Sequence, residues 1–151
     1  IQRLRARSSY DHRGIYQNGE PEAPGEVTDW VKDALTHYWG GPKLARSPLL
    51  QLMVVKNSVD RHEGNYPNAL RAILRSAIEK VKPEGERRFT GDWILYNILE
   101  MKFLEGRKVR EVAMRLAMSE ADLYRKQRIA IDEVARAILD MEAQAREQAK
   151  D

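Results

Sequence analysis

Apolar residues recur along this chain at steps of three and four, the spacing of one helix face, and nowhere alternate with polar residues long enough to mark a strand. Val27, Val31, Ala34, Leu35 and Tyr38 make the first stripe, which Gly40-Gly41-Pro42 ends. Ser47-Pro48 reads as a cap followed by proline in the first turn, opening a short apolar helix through Leu49, Leu50, Leu52, Met53 and Val54. The polar run from Asn57 to Asn65 contains a glycine and reads as a loop. Pro67 then starts a cleaner helix, with Leu70, Ile73, Leu74, Ala77, Ile78 and Val81 on one face, and Lys82-Pro83-Glu84-Gly85 stops it. Its other face, with Arg71, Arg75, Glu79 and Lys82, reads as solvated surface.

The most apolar stretch follows a cap at Thr90 or Asp92 and carries Trp93, Ile94, Leu95, Ile98, Leu99, Met101, Phe103 and Leu104. It is the helix around which the others are expected to pack. Glu105-Gly106 breaks it, and two further helices follow, one over Lys108 to Leu116 and one from Glu120 to about Gln148. The expected fold is all-α: a compact multi-helix domain over 27–151, with N-terminal helices in 27–82. In this reading 90–150 holds a helix-turn-helix followed by a long C-terminal helix. Residues 1–26 lack a sustained period and read as a flexible linker or arm. Arg3, Arg5 and Arg7 leave two uses for that arm, a plain tether or a basic arm for a minor groove.

The parts of a helix-turn-helix can be named. Val109, Val112, Ala113 and Leu116 form the inner face of a short helix, and small Ala113 lets a second helix approach closely. Ala117-Met118 makes the turn, Met118 plugs the angle, Ser119 caps the next helix, and Leu123 and Ala130 return to the core. Over about residues 93–131 the chain resembles region 4 of bacterial sigma factors and related transcription regulators. Phe103, Gly106, Ala113, Ser119 and the run from Arg128 to Ile131 fall on that family's pattern. It departs at Ala117, where the family has glycine, and at Lys126, where the family has an apolar residue. Alanine suits the first position only if the backbone stays out of the left-handed region.

The resemblance implies double-stranded DNA held in the major groove by the second helix. Carried over by position, Ser119 approaches phosphate, and Ala121, Asp122, Arg125 and Tyr124 face base edges. Lys108, Arg110 and Arg128 become backbone contacts. Charge supports this only locally. The net charge of +3 is small, but residues 107–128 carry seven basic against three acidic side chains, while 132–151 carry three against six. Glu120 and Asp122 put negative charge where the groove would be entered.

A second seam leaves its occupant open. Ile131, Val134, Ile138, Met141 and Ala145 are spaced three and four apart. The stripe either packs on the Trp93–Leu104 helix of its own chain or pairs two copies as a homodimer. Tyr124 is in phase with it and is expected to be partly buried.

Chemistry of other kinds finds little footing. No apolar run approaches the ~18 to 20 residues needed to span a bilayer. The chain has no Cys, which excludes disulfides and fits a cytoplasmic setting. His12, His37 and His62 are isolated, and no phosphate-binding glycine motif is present, so neither a metal, a cofactor nor an enzymatic activity is expected. Trp30, Trp39 and Trp93 read as core aromatics, with Trp39, beside two glycines, as a possible exposed docking residue. The chain opens on Ile1 rather than Met, which suggests a piece of something longer. Two functions therefore stand at this stage. One is a DNA-binding transcription-regulatory module; the other is a protein-interaction or output domain joined to an upstream domain or partner of a larger bacterial regulator.

Overall fold

In the computed structural model, residues 16–17, 20–21, 24–86 and 90–150 are described. Helix α1 (Pro24–Thr36) starts on proline, whose fixed φ suits a first turn, three residues before the apolar stripe begins. After the short α2 (Gly41–Leu44), Ser47 caps a 3-10 turn over Pro48–Gln51, its Oγ accepting from the Leu49 N–H at 3.2 Å. Helix α3 (Met53–Arg61) follows, then α4 (Tyr66–Val81), whose start Asn65 caps by accepting from the Asn68 N–H at 2.9 Å.

Two expectations fail here. The run from Asn57 to Arg61 is helical, not loop, because its polar residues Lys56, Asn57, Asp60 and Arg61 are the outer face of α3. Inside, Val55, Ser58 and Val59 are buried, and the Ser58 hydroxyl donates to the Ala69 carbonyl at 3.1 Å. The stretch read as linker also holds a small antiparallel ladder, β1 (Tyr16–Gln17) with β2 (Glu20–Pro21), in the register Tyr16↔Pro21 and Gln17↔Glu20. Strands of two residues leave no periodicity to read. Arg3, Arg5 and Arg7 lie outside the described residues.

Beyond Thr90 a 3-10 turn (Gly91–Trp93) leads into α5 (Ile94–Leu99), which runs on as a π-helical turn over Glu100–Leu104. Helix α6 (Val109–Arg115) and the long α7 (Glu120–Ala149) complete the chain. Helix α7 has 30 residues, so it is about 45 Å long. It contacts α1, α3, α4, α5 and α6, and is therefore the element around which the others pack. The Trp93–Leu104 stretch, though more apolar, does not fill that role, because it is divided into three short helical types while α7 is continuous.

Two apolar clusters meet at α5. The larger joins α1, α3, α4, Trp93, Tyr96 and Leu99 to Ala130, Ile131, Val134 and Ile138 of α7. The smaller holds Ile98, Met101, Val112, Ala113, Leu116 and Leu123. Neighbours Ile98 and Leu99 thus face different clusters and tie the α6–α7 corner to the rest. The seam of Ile131, Val134 and Ile138 is enclosed by its own chain, with Met141 packed at its edge, so these side chains are spent within one copy.

The far end of α7 is held by a charge. Glu142 has 0% exposure, and its carboxylate accepts from the Met53 N–H at 3.1 Å, the Val54 N–H at 2.8 Å and Arg146 Nε at 2.9 Å. Leu52, at the head of α3, has no side chain that could cap it, so a residue from another helix satisfies those free N–H groups. Among the described residues no helix is long and apolar enough to cross a membrane.

Candidate functional site

The corner between α6 and α7 gathers most of the side chains singled out in the sequence. Helix α6 closes with two backbone bonds, Met118 N–H to the Ala113 carbonyl at 3.0 Å and Ala117 N–H to the Met114 carbonyl at 3.2 Å. This pattern needs a left-handed residue between the last helical turn and Met118. Ala117 supplies it, at φ 55°. The backbone therefore enters the region that alanine was expected to avoid, because the turn, not the residue type, dictates the angle. Ser119 then starts α7, its Oγ accepting from the Asp122 N–H at 3.0 Å. Met118 packs against the smaller apolar cluster and closes the angle between the helices.

Ala121, Tyr124, Arg125 and Arg128 are spaced so that they share the outer side of the first turns of α7, and all four are exposed. Tyr124 is 51% exposed, less buried than its phase with the seam suggested, and Arg125 is 70% exposed. Lys108 and Arg110 stand exposed at the start of α6. Exposed Met114 and Ile129 add apolar surface to the same two helices.

The acids here are largely compensated. Asp122 is engaged by Lys126 Nζ at 2.8 Å and by Arg125 at 2.9 Å, and these partners, Lys126 first, hold its carboxyl below the usual range. Lys126 thus substitutes an ion pair for the apolar contact expected at its position. Glu111 is held below the usual range by hydrogen bonds from Arg107, with Arg115 at 3.3 Å adding to them. Glu105 also pairs with Arg107. Glu120 remains exposed. Among the described residues, Lys108, Arg110 and Arg128 enter no ion pair, which leaves three uncommitted cations around the corner.

Two neighbouring features depend on contacts that are distant in sequence. A half-open cavity of about 640 Å³ lies between α1 and α7, where Thr28, Asp29 and Lys32 face Tyr124, Gln127 and Arg128. Gln127 is buried there, and its Oε1 has no hydrogen-bond partner among the described residues. Trp39, read either as a core aromatic or as an exposed docking residue beside two glycines, is 63% exposed. Its indole N–H donates to the Leu104 carbonyl at 3.2 Å and its ring stands edge-on to Tyr38. Neither feature has a local signature, because each joins residues more than sixty positions apart. Among the described residues no three metal-ligating side chains gather into a site.

No family model, characterised protein or solved structure compared with this chain matches it.

Proposed function

We propose that this chain is a DNA-binding transcription-regulatory module in which α6, its turn and the first turns of α7 work as a sigma region 4-like helix-turn-helix. The observation that carries the reading is the outer face of early α7, where Tyr124, Arg125 and Arg128 are exposed together while the charge of Asp122 is already neutralised. In this reading the start of α7 enters the major groove of double-stranded DNA in the cytoplasm of a bacterial cell. Arg125 is suited to guanine O6 and N7, Ala121 to a thymine methyl, and Tyr124 and Asp122 to neighbouring base edges. Lys108, Arg110 and Arg128 neutralise phosphates, and the capped N-terminus of α7 at Ser119 adds a favourable dipole.

Fluorescence anisotropy against a random duplex library at low salt tests this. Arg125→Ala and Arg128→Ala are expected to weaken binding far more than Lys150→Ala, which removes a cation at the opposite end of α7. Affinity should fall with salt at a log–log slope of roughly −0.9 per phosphate contact. Absence of binding even at low salt removes the DNA reading.

A second reading has its own support. Met114 is 74% exposed, and Ile129 lies exposed beside Arg125 and Arg128. Apolar surface of this kind fits a protein-interaction or output domain of a larger regulator, built on a degenerate helix-turn-helix. In that case Met114→Asp should abolish capture of a protein partner from DNase-treated lysate while Arg128→Ala leaves it intact.

A further inference from the structure

A second cavity, of about 460 Å³, opens between the end of α1, the π-helical turn and the start of α6. Thr36 and Trp39 form one wall, and Phe103, Lys102, Arg107 and Lys108 form the other. Among the described residues, every charged side chain lining it is basic. Arg107 is already held by Glu105 and Glu111, so the uncommitted cations are Lys102 and Lys108. Lys102 is the unusual one. Its ammonium lies 5.1 Å from the Phe103 ring, no carboxylate among the described residues pairs with it, and burial lowers its pKa. A half-buried cation without a counter-charge is electrostatically unfavourable, and a bound anion would relieve it.

Trp39 supplies the other half of the site. Its ring is not a loose surface group. The Leu104 carbonyl fixes the indole N–H, Tyr38 supports the ring, and Arg71 lies 5.7 Å from its centroid, anchored to the Tyr38 carbonyl at 2.6 Å. A fixed, exposed indole lining the same cavity as two ammonium groups that lack a carboxylate partner among the described residues suits a planar ring that carries a phosphate. Helices locally widened to π geometry are also frequent at functional sites, and Lys102 sits within such a turn.

We infer that this cavity binds a nucleotide, with the phosphate on Lys102 and Lys108 and the base stacked on Trp39. The base must be unstacked to reach the indole, so the ligand is a free mononucleotide or a single strand, not a paired duplex. The site adjoins the proposed duplex-binding face and shares Lys108 with it, whereas Lys102 and Trp39 belong to this cavity and not to that face.

Trp39 also reports on it, since Trp93 is buried and Trp30 is partly covered. Titration with deoxyadenosine 5′-monophosphate, and separately with a short single-stranded oligodeoxyadenylate, should quench the tryptophan fluorescence. Lys102→Gln should weaken binding about tenfold, Lys102→Arg should restore most of it, and Lys150→Gln should leave it unchanged. Tighter binding of the oligomer assigns the site to single strands, and tighter binding of the monomer assigns it to free nucleotides. The inference is overturned if neither probe changes the fluorescence at millimolar concentration, or if Lys102→Gln binds both as the wild type does. Duplex titration of the same variants keeps the two sites apart. Loss of duplex binding with Arg125→Ala alone concerns α7, and loss of mononucleotide binding with Lys102→Gln alone concerns this cavity.

Discussion

Gly106 and Ala117 each close a helix through the N–H of the next residue, which reaches back to an earlier carbonyl: Arg107 to Met101, six positions back, and Met118 to Ala113, five positions back. Both sit at positive φ, 71° and 55°, but only one is glycine. A Cβ in the left-handed region costs about 1–2 kcal/mol, while glycine loses more freedom on folding. Ala117→Gly is therefore expected to stabilise the fold by about 0.5–1 kcal/mol, visible as a rise in Tm. An unchanged or lower Tm would show that the turn relaxes in solution. Glu142 poses the opposite case. Its removal leaves two helix-start N–H groups without their acceptor and Arg146 without its partner. Glu142→Ala should cost roughly 2–3 kcal/mol in urea unfolding, and Glu147→Ala, an exposed acid one and a half turns on, should cost little.

At the scale of elements, α6 and α7 are joined by the smaller apolar cluster, and each carries its own ion pairs between neighbouring turns. Asp122 and Glu111 both have folded pKa values below the usual range, so the stability they contribute is present above their unfolded values and is lost as pH falls through the folded ones. Thermal midpoints should accordingly drop as the solution is acidified through and below about pH 4, and Asp122→Asn should flatten that dependence. A variant whose pH profile matches the wild type would mean that Lys126 and Arg125 do not hold Asp122 in solution. Much of this corner was legible in the sequence. Ser119 was read as a cap, Leu123 and Ala130 as inward positions, and the limits of both helices fall within one residue of those expected. What local pattern missed was the left-handed Ala117, since an alanine gives no sign of the angle its neighbours impose.

For the whole molecule, α7 decides the outcome. Val134, Ala135, Ile138 and Glu142 of its second half complete the larger core and cap α3. Deleting residues 132–150 should remove cooperative thermal unfolding followed by circular dichroism, because burial of each Val or Ile side chain contributes about 1.5–3 kcal/mol against a total stability of only about 5–15. A truncated chain that still melts sharply would make the N-terminal helices and the α6–α7 corner separate units. By itself the sequence determined the helical class, the apolar faces and most of the caps, because three-and-four spacing and cap chemistry act over a few residues. Only the tertiary structure decided which helix is central, that the seam of Ile131, Val134 and Ile138 is occupied by its own chain, and that an acid in a run of surface charges is wholly buried. Those outcomes depend on which faces meet across 89 positions, as Glu142 and Met53 do, and no local pattern carries that information.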